Sequence, residues 1–297
     1  MSATRIAVIG ASGQVARALA SAAYARGILA TCAGRDDINI SDECSIERVV
    51  QSAKPTVVIN AAAYTAVDKA ETDANEARRI NVEGPEQIAA VCARSNVPMI
   101  HISTDYVFDG RKTSPYLEDD ARNPLSVYGQ TKSDGEEAVR AALSKHIIVR
   151  TAWVYSTYGS NFVKTMLRLG AERDVVRVIS DQYGSPTSAD DLASALLDMS
   201  QRFASDGGAA PWGTYHLAGS GQTTWHGLAA ETFRLSALAG NKVPKLEAIT
   251  TAEYPLPAVR PQYGVLDTCK IQAAFGIALP PWQQSLEACI RQLQSGN

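Results

Sequence analysis

Long hydrophobic runs and closely spaced cysteines are both missing from this sequence. No stretch approaches the roughly 18 apolar residues of a membrane-spanning helix, and the apolar run at residues 6–9 is too short for the core of a signal peptide. The five cysteines are scattered without a C-x-x-C pair, which is typical of reduced thiols and offers no zinc site. We therefore expect a cytoplasmic protein that binds neither a membrane nor a metal ion.

Blocks of like charge are missing as well. The 297 residues carry a net charge of −3, with 20% charged and 45% hydrophobic side chains, as in an ordinary globular protein. No broad basic surface for nucleic acid is expected, although a local basic pocket for a phosphate group is compatible with this pattern. The length allows one large domain or two modest ones.

A glycine-containing turn follows the first apolar run, residues 5–9, and precedes a segment of helical periodicity, residues 15–26. Strand, glycine turn and helix in this order are typical of dinucleotide-binding folds. Gly10 permits the tight turn, Gly13 lets the backbone approach a pyrophosphate at the helix N-terminus, and Ala16 lets helix and strand pack closely. A tight turn without a ligand is the alternative.

The second predicted strand, residues 28–32, ends near the point where a dinucleotide fold selects its cofactor. An acidic residue there favours NAD by binding the ribose 2′-hydroxyl, whereas an arginine can hold the 2′-phosphate of NADP. Arg35 comes first after the glycine, so we favour NADPH. NADH is the alternative, because Asp36 and Asp37 follow directly.

Two later strands end in further candidate residues. Residues 56–60 lead into Ala61, Ala62, Ala63, Tyr64 and Thr65, where small side chains would let a flat cofactor lie close to the backbone. A tightly packed turn is the alternative. The strand at residues 98–103 ends at Thr104, and ligands of open α/β sheets lie outside the carboxyl ends of the strands.

Tyr128 and Lys132 stand four residues apart in a predicted helix, which places them on one face. A nearby ammonium group favours the ionised form of a phenol, so we expect Tyr128 to exchange a proton near neutral pH. The spacing alone is a weak signal, because such a pair also arises by chance.

Strand and helix alternate through residue 150, which predicts an α/β fold with a doubly wound parallel (Rossmann) sheet. The pattern loosens afterwards, and prolines interrupt it. We therefore predict a dinucleotide-binding domain at residues 1–155 and mainly a smaller C-terminal substrate-binding lobe at residues 156–297, with segments returning to the sheet. Residues 206–211 are predicted to form a loop and residues 282–293 a terminal helix.

The motif Gly10-x-x-Gly13-x-x-Ala16, Thr104 at a strand end and Tyr128-x-x-x-Lys132 together resemble the extended short-chain dehydrogenase/reductases. Within that superfamily the chain resembles the dTDP-4-dehydrorhamnose reductases along nearly its whole length. The matching segments are residues 60–71, 103–108, 127–132, 150–155, 161–167 and 181–187.

This resemblance implies NADPH-dependent reduction of the C4 keto group of dTDP-4-dehydro-L-rhamnose to dTDP-L-rhamnose. It implies that Tyr128 donates the proton, that Lys132 binds the nicotinamide ribose, and that Thr104 hydrogen-bonds the developing oxyanion. The implied pyrophosphate contacts are Gly13, Gln14 and Val15, with Ala63, Tyr64 and Thr65 at the inner half of the cofactor. The implied contacts with the nucleotide-sugar substrate are Asp105, Trp153, Asn161 and Arg260.

Some features qualify the resemblance. Related dehydratases have Thr-Asp-Glu where this chain has Thr104-Asp105-Tyr106, which disfavours dehydration. Tyr64 replaces a familiar histidine, and Tyr263-Gly264 replaces an Asn-Ser pair. Ala18 stands where a metal-bridged dimer would have a carboxylate, so we expect no such dimer, and either a monomer or a homodimer. The alternatives are a reductase or epimerase of another nucleotide sugar and a non-catalytic nucleotide-binding regulatory subunit.

Overall fold

A computed structural model describes residues 4–205 and 210–295, so positions 206–209 of the predicted loop lie outside it. Strands, in chain order, are β1 Arg5–Ile9, β2 Leu29–Ala33, β3 Val57–Asn60, β4 Met99–Thr104, β5 His146–Thr151, β6 Val154–Tyr155, β7 Val175–Ile179, β8 Tyr183–Gly184, β9 Thr187–Ser188, β10 Gly213–His216, β11 Thr223–Thr224 and β12 Lys245–Ile249. Helices are α1 Gln14–Ala25, α2 Glu43–Ala53, α3 Val67–Ala70, α4 Ala74–Arg78, α5 Gly84–Arg94, α6 Val127–Ala142, α7 Phe162–Glu172, α8 Ala189–Ser205, α9 Trp225–Leu238, α10 Cys269–Phe275 and α11 Trp282–Ser295.

The centre of the fold is a six-stranded sheet in the order β2-β1-β3-β4-β5-β10, and every pairing in it is parallel. Alternate residues of its strands pack into different apolar clusters. Ile6 and Val8 of β1 join the cluster that includes α1 and α8, whereas Ala7 and Ile9 join the cluster that includes α2, α5 and α6. Helices therefore cover both faces, and the predicted doubly wound parallel sheet is confirmed.

The strand order reverses between β1 and β3, because β2 lies to one side of β1 and β3 to the other. The connections that leave the carboxyl ends of these two strands therefore diverge and leave a crevice between them. In open α/β sheets this crevice is the usual ligand-binding position. It contains the Gly10 turn and the alanine-rich segment after β3.

The edge strand β10 comes from the second half of the chain and pairs with β5, with Thr214 opposite Ile148. The other elements of that half form short strand pairs, β7 with β12, β6 with β9 and β8 with β11. Helices α7, α9 and α11 pack with them in two further apolar clusters. The domain division at residue 155 stays a prediction.

The helical segment between β3 and β4 is broken into α3, α4, a π-helical turn at Arg79–Glu83 and α5. The π turn places the buried amide of Asn81 against two other segments. Its Oδ1 accepts the Tyr64 N–H at 2.8 Å, and its Nδ2 donates to Thr131 Oγ1 at 3.1 Å. Helix α2 is capped by Asp42, whose side chain accepts the Cys44 N–H.

Candidate active site

Two adjoining cavities follow the carboxyl ends of the central strands. The outer cavity has a volume of about 310 Å³ and lies beside the ends of β1 and β2. The inner cavity has a volume of about 490 Å³ and extends past the end of β4 to α6. Ser12, Gly13, Ala61 and Ala63 line both, so the two cavities form one continuous cleft.

The glycine turn forms the wall shared by the two cavities. Gly10 has a φ of +108°, and a Cβ at this position would lie 2.7 Å from the Ala62 backbone nitrogen, so only glycine fits. Gly13 precedes α1 and provides no side-chain cap. The first N–H groups of the helix are therefore available to an anion, as a pyrophosphate requires.

The predicted 2′-phosphate residue, Arg35, lines the outer cavity together with Arg79 and Glu76. The Arg79 guanidinium donates through Nε to Glu76 Oε2 at 2.7 Å and through Nη1 to Ser41 Oγ at 2.8 Å. Arg79 is the main cause of the lowered pKa of Glu76, and Arg35 also contributes. Sequence reasoning missed Arg79, since no local motif marks an arginine that reaches the cleft from the helical segment after β3.

Thr104, Tyr128 and Lys132 all line the inner cavity, so the structure brings the three predicted catalytic residues together. Burial raises the pKa of Tyr128 to about 12, and the charge of Asp105 acts in the same direction, although the neighbouring Thr104 hydroxyl lowers it. The expectation that Lys132 prepares this phenol to ionise near neutral pH is therefore wrong for the structure as it stands.

Lys132 is buried, and its Nζ donates to the carbonyl oxygen of Ile102 at 2.7 Å. Burial lowers the pKa of its ammonium group to about 8, although the charge of Glu136 favours the protonated form. The side chain therefore changes protonation state near pH 8, well below the usual range of a lysine.

Close approach of α6 to the segment after β4 places Tyr128 beside Thr104. A Cβ on Gly129 would lie 2.3 Å from the carbonyl oxygen of Tyr106. Ser126 caps the helix by accepting the Gly129 N–H at 3.2 Å. The Tyr106 ring meets the Tyr128 ring edge-on, with 5.5 Å between centroids.

Asp105 also lines the inner cavity and is buried. Burial raises the pKa of its carboxyl group to about 7, although the Thr104 hydroxyl, which donates to Asp105 Oδ1 at 3.0 Å, lowers it. A Cβ on Gly264 would lie 2.5 Å from Asp105 Oδ2. The departure at Tyr263-Gly264 therefore lies directly beside a predicted substrate contact.

An aromatic wall closes the far side of the inner cavity. The Trp153 and Trp225 rings stack with centroids 3.6 Å apart and planes inclined by 8°. Trp153 has a φ of +49°, which is uncommon for a bulky residue. Such strained backbone conformations occur preferentially at functional sites. A Cβ on Gly184 would lie 2.4 Å from the Trp153 ring. Sequence reasoning missed Trp225 because it lies far along the chain and carries no motif.

The remaining predicted residues lie in several positions. Gln14, Val15 and Thr65 line the inner cavity and Ala62 the outer one. The Tyr64 hydroxyl donates to Asp73 at 3.0 Å. Asn161 caps α7 and donates to Gln14 Oε1 at 3.0 Å, and it is not among the described residues that line the inner cavity. Their predicted ligand contacts stay predictions.

Arg260 lies beside a third cavity, of about 640 Å³, which shares Trp225 with the inner one. Its guanidinium forms a two-pronged ion pair with Asp68, with nitrogen–oxygen distances of 2.7 and 3.0 Å. The predicted contact of Arg260 with a diphosphate would have to compete with this carboxylate, and it too stays a prediction.

One buried polar atom of the cleft has no protein partner. Among residues 4–205 and 210–295, the Thr151 hydroxyl is buried without a hydrogen bond, and it lies at the inner cavity beside Thr104, its register partner in β4. An unpaired buried hydroxyl is costly, so this position suits a polar group of a ligand. Within the same described residues, no cluster of three or more His, Cys, Asp or Glu side chains could hold a metal ion.

Comparison with known proteins shows the family to which the chain belongs. The family model described as "RmlD substrate binding domain" matches residues 4–295. A dTDP-4-dehydrorhamnose reductase from Sinorhizobium fredii is 43% identical over 282 residues, 95% of each chain. This chain belongs to the dTDP-4-dehydrorhamnose reductase family. Another member, from Escherichia coli, is 40% identical over 297 residues, 97% of each chain.

Solved structures of this family have the same fold. A dTDP-4-dehydrorhamnose reductase from Clostridium acetobutylicum is 38% identical with a TM-score of 0.90, covering 97% of this chain and 99% of that one. The reductase from Bacillus anthracis, solved in complex with NADP, is 32% identical with a TM-score of 0.90, covering 98% of this chain and 100% of that one. The family resemblance predicted from the sequence is confirmed. No helix in the described part of the chain is long and apolar enough to cross a membrane.

Proposed function

We propose that this protein reduces the C4 keto group of dTDP-4-dehydro-L-rhamnose to give dTDP-L-rhamnose, with NADPH as the reductant. The observation that carries the proposal is the convergence of Thr104, Tyr128 and Lys132 on one cavity beside the glycine turn. Family membership supports the substrate, because relatives that align along nearly the whole chain are named for this reaction.

The cleft fits a nicotinamide dinucleotide. The Gly10 turn and the uncapped N-terminus of α1 suit the pyrophosphate, and Ala61, Ala62 and Ala63 leave room beside them. The unpaired hydroxyl of Thr151 offers a hydrogen bond deeper in the cleft. When bound, the cofactor supplies the hydride.

Side chains of the inner cavity stabilise the negative charge that develops on the substrate oxygen and supply its proton. A carbonyl that accepts hydride gains negative charge on its oxygen, and donors aimed at that oxygen stabilise the transition state more than the ground state. Tyr128, whose pKa is raised by burial, stays protonated at neutral pH and is ready to donate its proton to that oxygen. Thr104 adds a second hydroxyl at the same place, and Lys132 supplies positive charge nearby.

The preference for NADPH rests on two arginines rather than on one. Arg35 and Arg79 both line the outer cavity, and a pair of guanidinium groups suits a 2′-phosphate. Glu76 holds Arg79 there through two hydrogen bonds, of 2.7 and 2.5 Å. NADH stays the alternative, because the same carboxylate can accept a hydrogen bond from a 2′-hydroxyl.

The Tyr128→Phe variant tests the proposal. We expect kcat to fall by about 10²- to 10⁴-fold, the usual contribution of a positioned proton donor, while the dissociation constant for NADPH changes little. The matched control is Tyr106→Phe, which removes the other phenol of the inner cavity and should cost much less. Turnover would be followed by NADPH absorbance with a panel of 4-keto nucleotide sugars. Full activity in Tyr128→Phe would exclude this residue as the donor.

The same panel tests the substrate. Turnover of a different 4-keto nucleotide sugar in preference to the dTDP-linked one would favour the alternative, a reductase of another nucleotide sugar. We further propose that the protein acts in the cytoplasm, as its scattered free cysteines suggest, and that it is a monomer or a homodimer.

A further inference from the structure

A buried chain of polar groups connects the loop after β3 to Lys132. The backbone N–H of Ala62 donates to Asn60 Oδ1 at 3.1 Å, and Asn60 Nδ2 lies 3.1 Å from His101 Nδ1. On the other side of the imidazole, His101 Nε2 lies 3.5 Å from Lys132 Nζ. Asn60, His101 and Lys132 are at most 2% exposed, so water does not compete with these contacts.

The Ala62 N–H determines which nitrogen of the His101 imidazole carries the proton. A donor at Ala62 requires the oxygen of the Asn60 amide, so the amide nitrogen must face His101. That nitrogen is a donor, and His101 Nδ1 must therefore be the unprotonated acceptor. Burial, with the nearby charge of Lys132, keeps the pKa of His101 well below its usual range, so the ring is neutral. A neutral imidazole carries one proton. Because Nδ1 is unprotonated, that proton is on Nε2, which faces Lys132.

An imidazole N–H that faces Lys132 favours the amine form of the lysine, whose lone pair can accept it, over the ammonium form. Other groups act on the same nitrogen. The Ile102 carbonyl oxygen at 2.7 Å and the charge of Glu136 on α6 favour the ammonium. Further titratable or charged groups packed nearby are Tyr128 and Arg140 of α6, Asp105 after β4, and His146 and Arg150 of β5.

We propose that Asn60 and His101 are positioning residues that fix the Nε2-protonated tautomer of His101 and thereby set the position and the protonation equilibrium of Lys132. Neither Asn60 nor His101 is among the described residues that line the outer and inner cavities. They act through the lysine, and Asn60 couples it to the Ala62 backbone, which lines the outer cavity. The effect on turnover rests on the proposed reductase function, whereas the tautomer does not.

The tautomer is measured directly by ¹⁵N NMR of protein labelled at histidine. The chain has four histidines, and the His101→Gln spectrum assigns the signals of His101. We expect a neutral ring protonated on Nε2 from about pH 6 to about pH 8. In Asn60→Leu, which removes the donor to Nδ1, part of the population should move to the Nδ1-protonated form. A wild-type ring protonated on Nδ1, a titration within that range, or an unchanged tautomer in folded Asn60→Leu would each overturn the proposal.

The pH dependence of kcat/KM tests the consequence for Lys132. In His101→Gln the amide can turn its oxygen toward the ammonium, so the alkaline limb of the profile should move upward by about one pH unit, a tenfold change in the protonation equilibrium. The control His226→Gln makes the same exchange away from Lys132 and should leave the limb in place. An unmoved limb in folded His101→Gln contradicts the proposal. Absence of turnover in the wild type would instead refute the reductase function and leave the NMR test intact.

Discussion

At the scale of single residues, burial changes the chemistry expected from the sequence. The spacing of Tyr128 and Lys132 predicted a phenol prepared to ionise by a neighbouring ammonium. The structure instead has a phenol with its pKa raised to about 12 and an ammonium with its pKa lowered to about 8, because desolvation penalises both charged forms. In the proposed reduction, the raised pKa would keep the proton on Tyr128 until the carbonyl oxygen becomes basic.

Cofactor choice is tested at the same scale with Arg35→Ala and Arg79→Ala. If these arginines bind the 2′-phosphate as proposed, each change removes a charge-assisted hydrogen bond worth about 1.5–3 kcal/mol, so the dissociation constant for NADPH should rise by about 10- to 100-fold. The constant for NADH should change much less. Isothermal titration calorimetry measures both. Arg78→Ala is the control, because Arg78 pairs with Asp134 instead. Equal losses for the two cofactors would show that neither arginine contacts the phosphate.

At the scale of elements, α6 carries the site because glycine lets it approach its neighbours. Gly129 faces the Tyr106 carbonyl, and a Cβ on Gly135 would lie 2.0 Å from the Asn81 carbonyl oxygen. In both cases the added Cβ would meet backbone atoms, which cannot move away as a flexible side chain can. The position of Tyr128 therefore depends on two residues that have no side chain.

The Gly129→Ala variant tests this dependence. Alanine normally stabilises a helix by about 1 kcal/mol relative to glycine, but here the added methyl group meets the Tyr106 carbonyl oxygen. We expect the free energy of unfolding to fall by about 1–3 kcal/mol and kcat to fall about tenfold or more as Tyr128 is displaced. Urea unfolding and steady-state kinetics measure the two effects. Ala141→Gly, at an exposed position of the same helix, should reduce stability alone; a stabilised, fully active Gly129→Ala would contradict this role.

The elements differ in how far the sequence predicts them. The strands of the central sheet are short apolar runs bounded by polar residues and glycines, so β1, β3 and β4 were predicted within about one residue. The π turn at Arg79–Glu83 was not, because its extra residue is stabilised by the contacts of Asn81 with Tyr64 and Thr131, which are distant in sequence. Among site residues, those in motifs were predicted, whereas Arg79 and Trp225 reach the cleft only through tertiary packing.

At the scale of the whole molecule, a buried ion pair connects α6 to the sheet. Glu136 accepts two hydrogen bonds from Arg150, both of 2.8 Å, and one from Ser103 at 2.6 Å. Burial raises the pKa of Glu136, but the hydrogen bonds and the charges of Arg150 and Arg140 outweigh it and lower the pKa to about 2. Sequence reasoning gave no indication of this pair, since neither residue belongs to a motif with the other.

Acid stability follows from this ion pair. The folded pKa of Glu136 is below the ordinary glutamate value of 4.5, so the stabilisation is complete above that value and is lost as the pH falls toward about 2. Urea unfolding between about pH 6 and about pH 3 should show wild-type stability declining by a few kcal/mol. Glu136→Gln should be less stable than the wild type at neutral pH, and its free energy of unfolding should decline less as the pH falls. The control is Glu137→Gln, at the neighbouring exposed glutamate, whose stability should change with pH as that of the wild type does. Equal declines in Glu136→Gln and wild type would exclude Glu136 as the cause.

The late position of β10 in the chain has a consequence for folding during synthesis. The first five strands of the sheet have all been translated by residue 151, yet the strand that covers β5 ends only at residue 216. While the ribosome makes the intervening segment, the backbone groups of β5 on that side lack their partner, and an uncovered strand edge invites pairing with another nascent chain. A nonsense codon placed between these two points would therefore leave an aggregating fragment rather than a smaller nucleotide-binding protein.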